Sequence, residues 1–443
     1  MDERFNLALI GNIANNFFRD ATLLNRGKYL SAICYVNSGA STPNTERPES
    51  DPSTVSMNWQ EYTHEVLPLF GVKLRMLMFP RFILKRFKGV QSDFINEAER
   101  ADLRVFSGNE LLIAPKFRGP YVIRPTGSDL TVFPSLSFKD YWMIKKGSGR
   151  ALLKDKVIWM YLRFYYRKAY RKAAGIALSS ELPYQVALQS FMPKKTKFVS
   201  KIPLAIDTDS FRKVEERSNL LPEFVQDDDF MIFMPSRVMI SSSDVHKKTG
   251  QWKASDVGLQ GLRIFLDSLT AKETEKIWLM IPDRNLSDEL PKAKLLINDL
   301  NLDKHIIWLK GDNPGGLTRA EMIPLYSNAS VTIDDFGVGW YGSVAVEAMA
   351  CESPVVTYIT DKLLRDYDNP PMLIAQSPKK VAEHLSKLFY NRSKVKNIGK
   401  ESRSWVQKNH TETSIQNSYI SILESINPGT SKNRAQISKN LSI

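Results

Sequence analysis

Residues Ser330 to Ile359 read SVTIDDFGVGWYGSVAVEAMACESPVVTYI, and this stretch decides the fold. Ser330–Ile333 is a short β-branched run. A loop with Gly337, Gly339 and Gly342 follows, then helix formers from Ser343 to Cys351, then a second β-branched run at Pro354–Ile359. The order is strand, loop, helix, strand. A glycine loop that opens a helix leaves backbone N–H groups pointing outward, with the positive end of the helix dipole behind them. Such a place seats a phosphate. Glu347, four residues into the helix, lies about one turn from Ser343. A carboxylate there repels phosphate but accepts two hydrogen bonds from a ribose diol.

The run Tyr341-Gly342-Ser343-Val344-Ala345-Val346-Glu347-Ala348-Met349-Ala350-Cys351, with Pro354-Val355-Val356 after it, resembles the donor-site signature of GT-B glycosyltransferases of the family 4 type. That signature usually reads F-G-x-x-x-x-E-A-M-A-x-G-x-P-V-V. The resemblance implies that Glu347 fills the place of the second glutamate of the E-x7-E motif, which grips the nucleotide ribose. The first glutamate falls at Gly339, and the usual glycine after the Cys/Ala position is Glu352. Gly339, Tyr341, Gly342, Ser343, Val344 and Glu347 are thereby the candidate donor-binding residues. Asp334 and Asp335 are read either as a solvated loop or as groups touching the sugar in place of the carboxylate absent at Gly339.

Upstream, Phe230–Met234 is an apolar strand followed by Pro235-Ser236-Arg237, and Lys253-Ala254-Ser255-Asp256 precedes a helical run. The family typically shows G-R-x and K-G-x-D here, its Arg and Lys neutralising the donor diphosphate. Arg237 and Lys253 stand in those places, with a longer spacer between them. A leaving diphosphate gains charge in the transition state, and two fixed cations plus a helix N-terminus can stabilise it without a metal. Lys310-Gly311-Asp312 follows a strand where the family reads the nucleotide base by backbone contacts, so Gly311 joins the donor set. Leu325-Tyr326-Ser327-Asn328-Ala329-Ser330 resembles the family's L-Y-x-x-A-D run.

In the first half, Phe5–Ile10 alternates and runs into Gly11-Asn12, a helical stretch covers Asn15 to Tyr29, and Leu30–Val36 is a second strand. This is the opening of a Rossmann-like half. The resemblance makes Gly11 and Asn12 acceptor-side candidates, and the alternative is a plain tight turn. Gly127, Ser128 and Asp129 follow the strand at Tyr121–Arg124. In the family a Gly-x-Asp-like motif there lies beside the reacting sugar, which makes Asp129 a catalytic candidate and Gly127 and Ser128 acceptor-side ones. The alternative is a helix cap, for which Ser128 and Asp129 are both suited.

A chain of 443 residues exceeds one ordinary core. The resemblance implies an α/β GT-B fold: a Rossmann-like acceptor domain over 1–205 faces a donor domain over 206–400 across a cleft. A helix over 401–426 crosses back to the first domain, and the tail 427–443 is disordered. Residues 37–58 read as a mobile loop, and Val72–Met78 as a strand. No apolar run is long enough to span a bilayer, the N-terminus is not a secretory signal, and two cysteines suit a reducing compartment. The expected location is the cytoplasm, peripheral on the cytoplasmic face of the membrane.

The net charge of +13 concentrates in 142–172, where ten Lys and Arg from Lys145 to Lys172 meet the single acid Asp155 and are interleaved with aromatics. This is the pattern of a basic helix lying on an anionic membrane. The plainer alternative packs Trp159, Leu162 and Tyr166 onto the helix's own domain and leaves a solvated basic back. A second aromatic and basic run spans Phe79 to Lys88. No nucleic-acid motif accompanies the charge. The five histidines, His64, His246, His305, His384 and His410, form no recognisable pair.

The resemblance implies a retaining, metal-independent glycosyltransferase with no cofactor. It would move a sugar from a UDP- or GDP-linked donor to a hydroxyl of a glycan or lipid-linked acceptor. A sugar-nucleotide epimerase of the same architecture and a non-catalytic sugar-nucleotide or lipid-binding protein are the alternatives.

Overall fold

A computed structural model describes residues 4–11, 16–37, 63–66, 94–145, 152–179, 187, 191, 198–240, 244–250, 252–283, 289–311 and 316–426. The chain forms two compact units. Of the described residues, the first holds those up to Ala205 and those from Glu412 on, and the second holds those of Ile206–Thr411.

The first unit carries strands β1 (Phe5–Ile10), β2 (Leu30–Asn37), β3 (Thr63–Val66), β4 (Leu103–Phe106), β5 (Tyr121–Ile123), β6 (Gly175–Leu178) and β7 (Phe198–Lys201). They lie in the order β3-β2-β1-β4-β5-β6-β7, and every pairing is parallel. Successive side chains of a strand point to opposite faces, and β1 uses both. Leu7 and Leu9 join one buried cluster, while Ala8 and Ile10 join the other. Helix α1 (Asn16–Arg26) covers the first face with Phe17, Phe18, Ala21 and Leu24. Helices α2 (Phe138–Lys145) and α3 (Leu152–Lys172) follow β5, and α3 covers the second face with Leu162, Tyr166, Ala169 and Tyr170.

The second unit has strands β8 (Phe230–Phe233), β9 (Ile277–Pro282), β10 (Ile306–Leu309), β11 (Val331–Ile333), β12 (Val355–Thr357) and β13 (Leu373–Ile374). Their order is β10-β9-β8-β11-β12-β13, again parallel throughout. The helices that position the candidate site and its frame are α4 (Ser255–Asp267), α5 (Arg319–Asn328), α6 (Ser343–Ala350), α7 (Pro378–Phe389) and α8 (Arg392–Asn409). In both sheets the strand order reverses beside the first strand, between β1 and β4 and between β8 and β11. Open α/β sheets bind ligands outside the carboxyl ends of the strands at such a switch point.

Helix α9 (Glu412–Ile426) belongs to the first unit, where Ile415, Tyr419 and Ile422 complete the cluster around α1. A buried ion pair joins Arg124, just past β5, to Asp20 of α1, and the hydroxyl of Tyr419 donates to the same carboxylate. A charge so far from water needs its opposite partner in place, and removing either member of such a pair is costly. The pair fixes the returning helix to the sheet.

Two differences from the sequence reading stand out. Residues 401–426 are not one helix: α8 ends at Asn409, and α9 begins at Glu412. The strands β3, β6 and β13, of 4, 4 and 2 residues, were not anticipated. The loop assigned to 37–58, the strand at Val72–Met78, the run from Phe79 to Lys88 and the tail 427–443 lie outside the described residues, apart from Asn37 at the end of β2.

Candidate functional site

The site is assembled at the carboxyl ends of β8 and β11. The chain leaves β8 through Pro235, Ser236 and Arg237, and leaves β11 through Asp334 and Asp335. The hydroxyl of Ser236 donates to Asp334 and ties the two exits together. Asp335 does more. Its Oδ2 accepts from Lys253 Nζ at 2.6 Å, and its Oδ1 accepts from the backbone N–H groups of Gly337 and Val338 at 2.8 and 3.0 Å. The carbonyl of Lys253 in turn accepts from Phe336 N–H at 3.0 Å. The loop before α4 and the loop after β11 are thus interlocked on both main chain and side chain.

Asp334 and Asp335 are therefore not a solvated loop; both are buried. Burial pushes the carboxyl of Asp334 up, only partly offset by the Lys253 ammonium and the Ser236 hydroxyl. For Lys253, burial favours the neutral amine, but the two carboxylates outweigh it and raise its pKa. Lys253 keeps its proton at neutral pH. Arg237 is exposed at the exit of β8.

Glu347, on the inner side of α6, is buried. Its Oε1 accepts from Arg319 Nε at 3.2 Å and its Oε2 from the Tyr326 hydroxyl at 3.4 Å. Both partners come from α5. Thr318 starts that helix with a capping box closed by Glu321, which puts Arg319 at the first helical position. Gly342 is the N-cap of α6, and a side chain there would meet nothing within 4 Å, so the approach to the first-turn N–H groups of Ser343 and Val344 is open on that side. Those N–H groups have no intrahelical acceptor. At the other end of α6, Arg403 donates to the carbonyl of Ala350 at 2.5 Å and to those of Thr208 and Phe211 at 3.1 Å. A cation on the helix's negative end holds it in place.

Tyr341 does not line the open side. It is buried, stands edge-on to Tyr367, Trp405 and His410, and shares a 3.4 Å hydrogen bond with His410 Nε2. Its place in the signature is that of a wedge under the loop. His305 and His384 bond to the carbonyls of Ile277 and Ile374 at 3.1 and 2.9 Å, so both have structural partners. Gly339 has φ +83°, and a Cβ there would come within 3.2 Å of Tyr358 and Thr360. The loop is shaped around a glycine where the family has glutamate. Gly311 lies at the exit of β10, beside Leu317 and the Glu321 carboxylate.

Ala254 and Glu352 hold left-handed conformations, with φ of 49° and 62°. Both stand where the resembling family has glycine, so the backbone geometry is kept without the residue that suits it. The Ala254 methyl is fully buried, which offsets its strain. Glu352 is only half-buried. Glu352→Gly is expected to stabilise the chain by about 0.5–1 kcal/mol, read as a rise in the denaturation midpoint; an unchanged or lower midpoint would show that the strain is absorbed.

In the first unit, Gly11 with φ +97° comes so close to the carbonyl of Ser107 that a Cβ would lie 2.3 Å from it. Asn12 lies outside the described residues, as does the side chain of Ser128. Gly127 is open on the side a Cβ would occupy. Asp129 is buried, and its carboxylate accepts from the N–H groups of Gly108 and Gly127 at 2.9 Å and of Thr126 at 3.1 Å. This is the geometry of a clamp between the exits of β4 and β5, and it fits the capping alternative better than catalysis. Ser236, Arg319 and Tyr326 were missed as site residues, although the capping-box spacing of Thr318 and Glu321 marks where Arg319 begins a helix.

Two parallel, Rossmann-like units in one chain, with the last described helix returned to the first unit, define a GT-B fold. Residues 257–405, wholly within the second unit, match the family described as Glycosyl transferases group 1. A comparison with curated proteins finds no match. Among solved structures, Anabaena HepE in complex with UDP and glucose is similar at 13% identity and TM-score 0.58, covering 95% of this chain and 100% of that one. A glycosyltransferase from Rickettsia africae is similar at 14% identity and TM-score 0.58, over 96% and 99% of the two chains. Sucrose-phosphate synthase from Thermosynechococcus elongatus gives 14% and 0.58, over 98% and 100%. At these identities the likeness carries the fold. Among the described residues no helix is long and apolar enough to cross a membrane.

Proposed function

We propose that the protein transfers a sugar from a nucleoside-diphosphate sugar to a hydroxyl of a glycan or lipid-linked acceptor, with retention of configuration and without a bound metal, on the cytoplasmic face of a membrane. The observation that carries this reading is the second unit's switch-point site. A helix N-terminus open on its Gly342 side, a buried carboxylate at Glu347 and a protonated Lys253 occur together there. The family match at 257–405 and the UDP and glucose held by HepE favour a UDP-linked donor.

On this reading the diphosphate sits on the N–H groups of Ser343 and Val344, and Glu347 accepts the ribose hydroxyls. Arg319 holds the Glu347 carboxylate aimed. Lys253 and Arg237 offset the charge that grows on the leaving diphosphate. The acceptor hydroxyl attacks the anomeric carbon as the bond to the diphosphate breaks, and its proton passes to a donor phosphate oxygen. Asp335 keeps Lys253 in position throughout. Asp129 orders the acceptor-side loops and touches neither substrate.

The test is turnover with a panel of UDP- and GDP-sugars, followed as nucleoside diphosphate release with and without glycan and lipid acceptors. Release from one donor, increased by an acceptor, is the expected result. Binding of a donor without release would instead support the sugar-nucleotide-binding alternative, and a changed sugar on an intact nucleotide the epimerase.

A further inference from the structure

Helix α3 is apolar on two faces. Its inner face is spent in the core of the first unit through Leu162, Tyr166, Ala169 and Tyr170. On its outer face Leu153, Val157, Met160 and Phe164 are 77%, 54%, 55% and 60% exposed. The spacing i, i+4, i+7, i+11 lines these four side chains in one stripe, about 16 Å long at 1.5 Å per residue. A surface helix of a globular unit ordinarily turns polar residues outward at these positions.

Beside the stripe stand Lys156, Arg171 and Lys172, all exposed, with Lys168 half-buried among them. The helix has one acid, Asp155, and that side chain is buried, so the helix itself turns no carboxylate outward. Arg163 and Arg167 are turned inward, donating to the carbonyls of Leu136 and Pro134. The plainer sequence alternative, an inner packing face with a solvated basic back, holds for the inner face only. The back is amphipathic.

We infer that the outer face of α3 is a docking surface for an anionic lipid bilayer, with the helix lying in the interface and Leu153, Val157, Met160 and Phe164 entering the acyl boundary. Charge decides among the possible occupants. A polyanion such as nucleic acid would satisfy the cations and leave the apolar stripe in water. A second copy meeting the same face would set Lys156, Lys168, Arg171 and Lys172 against themselves, because a two-fold interface pairs like patches. An anionic bilayer meets both requirements, and each Lys or Arg near such a surface raises partitioning roughly fivefold.

The test is co-sedimentation of the full chain with phosphatidylglycerol vesicles and with phosphatidylcholine vesicles at low salt, for the wild type and for the double substitution Leu153→Glu with Phe164→Glu. The wild type is expected to sediment with the anionic vesicles only. The double variant should lose that binding at least tenfold while keeping the wild-type melting midpoint, since both side chains are already in water. Wild type left in the supernatant with anionic vesicles at low salt overturns the inference, as does equal binding by the variant. So does a wild-type dimer that the two substitutions convert to a monomer, with no vesicle binding by either. None of these readouts depends on donor chemistry, so the proposed transfer stands or falls separately.

Discussion

Lys253→Ala is expected to lower turnover by roughly 10²–10³, the range for removing one preorganised charge-stabilising group from a transition state. It carries a second effect that separates it from a mere change of surface charge. Lys253 is the cation on Asp335, whose side chain is only 1% exposed, while Lys253 itself keeps 28% of its surface in water. Removing one partner of a fully buried pair costs about 3–5 kcal/mol. With one member partly solvated, about 2 kcal/mol of lost stability is expected. Arg237→Ala should lower turnover into the same range, yet shift stability by less than about 0.5 kcal/mol, because the side chain is exposed. Steady-state kinetics and thermal unfolding on both variants separate the two roles. Unchanged turnover in both would remove the diphosphate from this place.

Glu347→Gln is expected to weaken nucleotide-sugar binding by about a hundredfold, since two hydrogen bonds from a ribose diol to a carboxylate contribute about 1.5 kcal/mol each at the low end. The amide keeps the volume of the side chain and can still accept from Arg319 on one atom, so the loss is one of charge more than of packing. The readout is the thermal shift given by UDP-glucose, which a ligand at about 100 times its Kd makes worth about 2.7 kcal/mol. The wild type shows the shift and the variant loses most of it. Equal shifts in both would place the ribose elsewhere. Arg319 makes the comparison sharper: Arg319→Ala should weaken the same binding with Glu347 intact, because the 3.2 Å contact aims the carboxylate.

The strand-loop-helix-strand stretch was legible because its signals are local. Glycines, helix formers and β-branched runs fall in sequence where the turn, the helix and the strands need them. The same locality explains the geometry at Ala254 and Glu352, where the left-handed turns survive a change of residue because the flanking elements dictate them. What could not be read was set by partners far along the chain. Asp335 looked like a loop acid until Lys253, 82 positions away, was placed against it. Glu347 gave no hint of Arg319, 28 positions upstream and on another helix.

Tyr341 was read as a donor contact from its place in the signature, but its ring is used to fill the space against Tyr367, Trp405 and His410. A motif conveys which residue types a geometry requires, not which of them face the ligand. For α3 the periodicity was ambiguous for a physical reason: two apolar stripes on one helix give no single period, and only the packed sheet shows which of them is inside.

The central claim is that a nucleoside diphosphate rests on the start of α6 with its ribose held by Glu347. A crystal structure of the chain grown with UDP tests it most directly. The expected result is a phosphate within hydrogen-bond distance of the Ser343 and Val344 N–H groups, Lys253 turned to the diphosphate, and both ribose hydroxyls on Glu347. Nucleotide bound at another edge of the sheet, or Glu347 engaged only by Arg319 and Tyr326 while UDP is present, would contradict it.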